Sequence, residues 1–278
     1  MKIELPYYEM VQSIDNELDE ITPLFLLHTS PLDKTYLQQS LVKEFKNSIP
    51  FYFIDLPSHG KSPDIENKNM SFRNMAEKIE ELRVNLGFEK IHIYGHGIGG
   101  FVAQYFSAYH RNRVSSLICS NTSPNYDYRE EMAWKIRGQY DNKIKQQFDY
   151  SYGKTDIDSL KSRFLTSLAF HFSPADEKKA EFLMNSISRF PQNAYIIISN
   201  FLIPKFDIRQ YNQKLKIPVL IISGSKDVWP KKILNWYKTD IPHSDFIEFD
   251  SCHFPMIDEP AEYWNKINMW LENISLRE

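Results

Sequence analysis

The stretch Lys90-Ile-His-Ile-Tyr-Gly-His-Gly-Ile-Gly-Gly-Phe-Val-Ala-Gln104 decides the fold. It reads as a short apolar strand, a glycine-rich corner and the opening of a helix. Four of the chain's nine glycines, Gly95, Gly97, Gly99 and Gly100, lie within six residues. A strand that turns directly into a helix needs positive φ at the corner and bare backbone where the two elements meet. Glycine meets both needs at least cost, so the stretch predicts a tight strand–turn–helix corner.

The corner matches a motif of nucleophilic enzymes except at its central residue. In the pattern G-x-S-x-G, a serine stands at the corner, and the N–H of the next residue faces the oxyanion that forms during acyl transfer. Here the five residues are Gly95-His96-Gly97-Ile98-Gly99. Gly97 therefore occupies the nucleophile position, and we expect the Ile98 N–H to lie in the oxyanion hole.

Composition limits the class of protein. A chain of 278 residues, 42% hydrophobic and 25% charged, is typical of a globular protein with one large α/β domain or a core plus an inserted subdomain. Its formal charge of −3 gives no sign of nucleic acid or an anionic membrane as partner. The start of the chain does not read as a secretory signal. We expect a cytoplasmic protein with a small-molecule ligand, no metal and no cofactor; the oligomeric state is not predicted.

Apolar runs alternate with helical patterns through most of the chain. Strands are predicted within residues 2–14, 23–28, 50–55, 90–96, 114–120, 217–224 and 246–249, and helices over residues 33–45, 71–86, 98–104, 230–237 and 260–271. Such alternation predicts right-handed crossovers and a mostly parallel sheet. Ligands bind beyond the carboxyl ends of parallel strands, so catalytic groups should directly follow strands.

The alternation stops between residues 124 and 206. This segment is mostly helical and rich in aromatic residues, among them Trp134, Tyr140 and Phe148. We interpret it as a helical cap over a core formed by residues 1–123 and 207–278; a cap excludes water and shapes substrate choice. The alternative is a helical bundle that packs on itself. Only the run Tyr195–Ser199 could also be a buried strand.

An acid and a histidine follow the last two predicted strands. Asp227 comes three residues after Gly224, and His253 lies in Asp250-Ser-Cys-His-Phe-Pro-Met256. Each alone could be structural, Asp227 as a turn former or helix cap and His253 as a loop residue. The glycine corner, which we call the nucleophile elbow, comes first along the chain, followed by the acid and then the histidine. This is the order of a nucleophile–acid–histidine triad.

Four further motifs extend this pattern over nearly the whole chain. They are the acid turn Ser223-Gly-Ser-Lys-Asp227, the histidine loop His253-Phe-Pro-Met with Glu259-Pro260, the loop Asp55-Leu-Pro-Ser-His-Gly-Lys-Ser62, and His28-Thr29. Together they resemble the α/β-hydrolase superfamily, with capped esterases, proline-iminopeptidase-like hydrolases and haloperoxidase-like enzymes as the most similar members and none of the three singled out. The resemblance implies an α/β-hydrolase fold, a mostly parallel central sheet flanked by helices with an inserted helical cap.

The resemblance also implies roles for the matched residues. His253 would be the base, Asp227 would orient it, and the backbone N–H groups of Ile98 and Thr29 would form the oxyanion hole. The residues expected to contact substrate are His28, Trp229 and Phe254. Two departures stand out, because Thr29 replaces the glycine of the family's His-Gly pair, and Gly97 has no oxygen with which to attack a carbonyl.

Four functions are compatible with a glycine at the elbow. In the first, His253 and Asp227 activate a water molecule or an acidic substrate proton, giving hydrolysis of an ester, amide or other carbonyl compound, or lyase chemistry, without an acyl intermediate. In the second, the protein binds a ligand or partner without turnover. In the third, Gly97 is a deliberate substitution that inactivates a serine hydrolase. The fourth is dinucleotide binding by Gly95, Gly97 and Gly100, which lacks the expected acid after the next strand.

Overall fold

A computed structural model describes residues 5–11, 21–42, 45–46, 49–128, 130–132, 138, 153–172 and 175–276. Its centre is a seven-stranded sheet in the order β1-β3-β2-β4-β5-β6-β7. The strands are β1 (Tyr8–Val11), β2 (Leu24–Leu27), β3 (Phe51–Ile54), β4 (Ile91–His96), β5 (Val114–Ser120), β6 (Val219–Gly224) and β7 (Asp245–Phe249). Every predicted strand other than Tyr195–Ser199 therefore overlaps an observed one, and residues 2–4 and 12–14 of the first lie outside the described residues.

The sheet is mostly parallel, as predicted. Only β1 runs antiparallel, pairing with β3, and the other five pairings are parallel. In the centre, His96 pairs with Ser120, and Ser120 pairs with Ile222. Because these strands end at one edge, the residues that follow them are brought together there.

Helices cover both faces of the sheet. They are α1 (Thr35–Gln39), α2 (Phe72–Asn85), α3 (Ile98–Tyr109), α4 (Ile157–Ala169), α5 (Glu177–Asn185), α6 (Gln192–Ile197), α7 (Arg209–Asn212), α8 (Lys232–Asp240), α9 (Pro255–Asp258) and α10 (Pro260–Ser275). Residues of α2 and α3 pack in one apolar cluster and residues of α10 in another. Within the described ranges, no helix has the length and apolarity needed to cross a bilayer.

Helix α1 is much shorter than the predicted helix over residues 33–45. It ends because Ser40 turns the chain: the Ser40 hydroxyl donates to the Leu37 carbonyl, and the Leu41 N–H returns to Gln38 rather than continuing the helical ladder. Leu41 and Phe45 still pack against the core. The apolar residues whose spacing suggested a longer helix thus reach the core from turns instead. Residues 43–44 lie outside the described part of the chain.

The segment predicted as a cap leaves and rejoins the core at neighbouring points. Asn125 and Asp207 form an isolated antiparallel bridge, and the Ile208 N–H donates to the Pro124 carbonyl at 2.9 Å. The described part between them is mostly helical, and the strand considered for residues 195–199 was wrong: these residues lie in α6 and a following π turn, Ile198–Leu202. Trp134, Tyr140 and Phe148 lie outside the described residues.

Candidate active site

The corner between β4 and α3 has the conformation that its glycines predicted. Gly97 has φ +53° and ψ −116°, a region that L side chains rarely adopt. Its carbonyl accepts a hydrogen bond from the Thr122 hydroxyl at 2.7 Å, which fixes the turn. A side chain at Gly95 would overlap the backbone of Gly99 and Gly100, so strand and helix can approach this closely only with bare backbone.

The structure brings His253 and Asp227 together. The His253 Nδ1–H donates to Asp227 Oδ2 at 2.9 Å, and their side chains are only 5% and 7% exposed. Asp227 follows β6 and His253 follows β7, two adjacent parallel strands, which explains why residues 26 positions apart meet. This bond holds the imidazole so that its Nε2 is left for chemistry.

Asn121 is a member of this group that the sequence reasoning missed. Its Nδ2 donates to Asp227 Oδ2 at 2.8 Å and to the Cys252 carbonyl at 3.2 Å. Asn121 adopts φ +43°, where asparagine is tolerated better than most residues. Its place directly after β5, at the same sheet edge as the other site residues, was the signal available in the sequence.

Hydrogen bonds keep Asp227 ionised although it is buried. Burial alone would raise its pKa, but the charge of His253, the bond from His253, and the bonds from Asn121 and the Trp229 N–H together lower the pKa to about 2. An ionised carboxylate in this position stabilises the imidazolium that forms when His253 takes a proton.

Four rings surround the His253 imidazole. The ring centres of Trp229, His96, His171 and Phe254 lie 4.9, 5.0, 5.0 and 5.3 Å from it. Burial, aided by the charge of His253, lowers the pKa of His171 to about 4 and that of His96 well below its usual value. Both neighbours are therefore neutral near pH 7 and do not oppose protonation of His253.

Thr29 differs from its expected role. Its backbone N–H does not face the oxyanion hole but donates to the Tyr36 hydroxyl at 3.1 Å. Its side chain enters the hole instead, where Oγ1 accepts the Ile98 N–H at 3.1 Å. The donor expected for a substrate oxyanion therefore binds a hydroxyl of the protein itself.

The Thr29 side chain also fills the space where a nucleophile would stand. A Cβ carried by residue 97 would overlap Thr29 Oγ1 and would lie 2.9 Å from Thr29 Cβ. The same point lies 3.6 Å from His253 Nε2. The Thr29 side chain, from a neighbouring loop, therefore takes the place of a side chain at position 97.

Two of the three expected substrate contacts have structural duties. Both ring nitrogens of the fully buried His28 are used, Nδ1 donating to the Thr29 carbonyl and Nε2 accepting the Leu56 N–H, so no polar atom is free for a substrate. Phe254 is 1% exposed and stacks on Phe172, behind the imidazole.

Trp229 is the third expected substrate contact and lies beside His253. Its ring stacks on Tyr128 with centres 4.4 Å apart. Its indole Nε1–H is buried and has no partner within the described part of the chain. A buried donor without a partner is unfavourable, so this group can gain by binding a ligand oxygen.

No three His, Cys, Asp or Glu side chains in the described ranges lie close enough together to hold a metal ion. The chemistry that can be assigned to described residues is that of His253 with Asp227, the hydroxyl of Thr29, and the N–H groups of Ile98 and Trp229.

Comparisons with known proteins agree with the motifs and the topology. A family model described as alpha/beta hydrolase fold matches residues 22–260. A proline iminopeptidase of Clostridium botulinum is 25% identical over 267 residues, covering 90% of this chain and 89% of that protein. Among solved structures, a proline iminopeptidase of Mycobacterium smegmatis has a TM-score of 0.76 at 16% identity, covering 98% and 96% of the two chains. An esterase from Exiguobacterium antarcticum has a TM-score of 0.74 at 19% identity, covering 96% and 95%.

At these identities the solved structures show the fold alone, whereas the family model spans most of the chain. The prediction of an α/β-hydrolase-type enzyme is confirmed at the level of the family. The chain belongs to the α/β-hydrolase fold family.

Proposed function

We propose that this chain hydrolyses a small to medium, partly apolar ester or amide, with His253 as general base and Asp227 as the acid that orients it. The observation that carries this proposal is the 2.9 Å bond between His253 Nδ1 and Asp227 Oδ2, with Nε2 only 3.6 Å from the nucleophile position at Gly97. A base so close to that position can take a proton from a group bound there. The names of the relatives, proline iminopeptidase and esterase, point in the same direction.

The surroundings of His253 favour a partly apolar substrate. Aromatic rings from the core and from the segment predicted as a cap flank the imidazole, and the unpaired Trp229 indole N–H offers one donor for a substrate oxygen. The same proposal holds that residues 124–206 form a cap over the site, that the substrate is a small molecule, and that the protein works in the cytoplasm.

Turnover of p-nitrophenyl butyrate and of L-proline p-nitroanilide by the wild-type chain and by His253→Ala tests this function. We expect the variant to lose about a thousandfold or more in kcat/KM on whichever compound is turned over, because the base is gone. The control is His243→Ala, since His243 is an exposed histidine whose ring bonds the Ile217 carbonyl and no residue of the site. Equal turnover in wild type and His253→Ala would refute the proposal.

Ligand binding without turnover is a second candidate, and one observation favours it. The Ile98 N–H is already bonded to Thr29 Oγ1, so a substrate carbonyl would have to compete for it. Losing the nucleophile of a serine hydrolase costs about six orders of magnitude in rate. Saturable ligand binding with no product after long incubation would favour this candidate over hydrolysis.

A further inference from the structure

The oxygen that Gly97 lacks is present on a different residue. Thr29 Oγ1 overlaps the point where the Cβ of a side chain at position 97 would stand, and His253 Nε2 lies 3.6 Å from the same point. Thr29 lies two residues after the end of β2, the neighbour of β4 in the sheet, which is why its side chain reaches the elbow from the adjacent strand end.

The Thr29 hydroxyl is held in place. The Thr29 N–H donates to Tyr36 and the Thr29 carbonyl accepts from His28 Nδ1 at 3.0 Å, so its backbone is fixed on both sides. The residue is 7% exposed. A fixed backbone and a dry setting limit where the hydroxyl can go, which is the kind of preorganisation that catalytic groups need.

The bonding around this hydroxyl suits an oxygen that gains negative charge. Thr29 Oγ1 accepts the Ile98 N–H at the N-terminus of the twelve-residue helix α3, where the helix dipole also favours negative charge. Within the described part of the chain, neither the Thr29 hydroxyl hydrogen nor His253 Nε2 has a partner. A donor and an acceptor without partners therefore both lie beside the point where the Cβ of a side chain at position 97 would stand, and a catalytic hydrogen bond between such groups often forms only when substrate binds.

We propose that Thr29 is the nucleophile of this site and takes the place of the elbow serine. The proposal rests on hydrolysis with His253 as base and deepens it by naming the attacking group. It assigns the substrates to activated acyl compounds, esters or amides, that can form an ester with a secondary hydroxyl.

The reaction proceeds through an acyl-threonine. The Thr29 hydroxyl proton passes to His253 Nε2 while Oγ1 bonds to the substrate carbonyl carbon. The bond to the leaving alcohol or amine then breaks, and the leaving group takes the proton from His253. Water, deprotonated by His253, attacks the acyl carbon; the bond to Oγ1 breaks and the proton returns to Thr29.

Labelling with a fluorophosphonate, followed by mass spectrometry of the digested protein, tests the assignment. We expect an adduct on the peptide that contains Thr29, and none in His253→Ala. Turnover of p-nitrophenyl butyrate should fall about a thousandfold or more in Thr29→Val, which keeps the shape of the side chain, and stay within about tenfold of wild type in Thr29→Ser. Thr239→Val, an exposed threonine of α8, is the matched control.

Two outcomes overturn the assignment and are distinguishable. If Thr29→Val keeps its turnover while His253→Ala loses it, the proposed hydrolysis stands and water is the nucleophile. If neither variant loses turnover, both proposals fall. The site of the adduct in the wild-type chain decides the question independently should Thr29→Val fail to fold.

Exchange of the two residues tests whether Thr29 occupies the nucleophile space. Gly97→Ser alone places its Cβ on the Thr29 hydroxyl, so we expect no gain in turnover. The double variant Thr29→Gly with Gly97→Ser frees both the space and the Ile98 N–H, and should exceed the single variant by about tenfold or more, with the adduct at position 97. A single Gly97→Ser variant as active as the double one would contradict the overlap.

Discussion

The two sides of the site differ in how closely they follow the family pattern. The acid–histidine side, formed by Asp227, His253 and Asn121, is buried and bonded, with the carboxylate at the ring nitrogen it must orient. The elbow side, formed by Gly97, Ile98 and Thr29, keeps the backbone turn but has a glycine at its corner and a threonine hydroxyl on the Ile98 N–H.

This difference indicates which parts of the site can change independently. The acid and the histidine depend on each other, because removing either leaves a buried polar group without its partner. Gly97 and Thr29 also depend on each other, but through space: a side chain at one position excludes the side chain at the other. A family site can therefore be rebuilt on one side while its other side stays intact.

The largest effect in this comparison is expected from Asp227→Asn on the acid–histidine side. The amide cannot neutralise the imidazolium and can select the wrong tautomer of His253, so we expect kcat/KM on the ester or amide that is turned over to fall by about 10²- to 10⁴-fold. Asp250→Asn is the control, because Asp250 lies in the loop that carries His253 but its side chain is 76% exposed. Comparable losses in both variants would contradict a special role for Asp227.

A smaller effect, about tenfold at pH 7, is expected from Asn121→Asp. The change keeps the size of the side chain and suits its positive φ, but it puts a second carboxylate beside Asp227. The loss at pH 7 is expected because the variant cannot donate the two hydrogen bonds that the Asn121 amide gives to Asp227 and to the Cys252 carbonyl. Like charges also raise the pKa of Asp227 from about 2, so the acid end of the pH–rate profile should move to higher pH. Asn235→Asp, the same change at an exposed site, serves as control; an unshifted profile would exclude Asn121 as a positioning residue.

The smallest effect concerns buried histidines near both sides of the site. Burial lowers the pKa of His59, which bonds Ser30 next to Thr29, to about 3, and that of His171, beside His253, to about 4. In the unfolded chain both titrate near pH 6.5, so between pH 6.5 and about 4 the unfolded state binds more protons. The free energy of unfolding should therefore fall as the pH drops through this window, by up to about 1.4 kcal/mol per pH unit for each histidine.

Urea midpoints at pH 7, 6 and 5 measure this slope. The His59→Gln and His171→Gln variants should each show a shallower dependence than wild type, whereas His243→Gln, at an exposed position, should leave it unchanged. A flat dependence in the wild-type chain would mean that these histidines are not neutral in the folded state.

Sequence reasoning was reliable where local pattern and chain order carry the information. The strands follow from runs such as Leu24–Leu27, which is buried on both faces, and α2 begins at the Ser71 cap as its spacing predicted. Asp227 and His253 could be chosen because parallel strands put their following residues at one edge.

Contacts between distant residues could not be read in this way. The overlap of Thr29 with position 97 joins residues 68 apart, and no local pattern carries it. The sequence shows that no acid follows β5, but it does not show that Asn121, which stands there, bonds Asp227. The end of α1 depends on one serine hydroxyl, Ser40, which spacing of apolar residues does not show.

The bridge between Asn125 and Asp207 has a consequence for how such proteins diversify. The chain leaves the core after β5 and rejoins it beside the same point, because Asn125 pairs with Asp207 and the Ile208 N–H donates to the Pro124 carbonyl; these four residues form a stem. A longer, shorter or unrelated segment grafted on that stem would leave the register of β5 against β6 untouched. Substrate preference could then change with this segment while the pairing of the strands is kept.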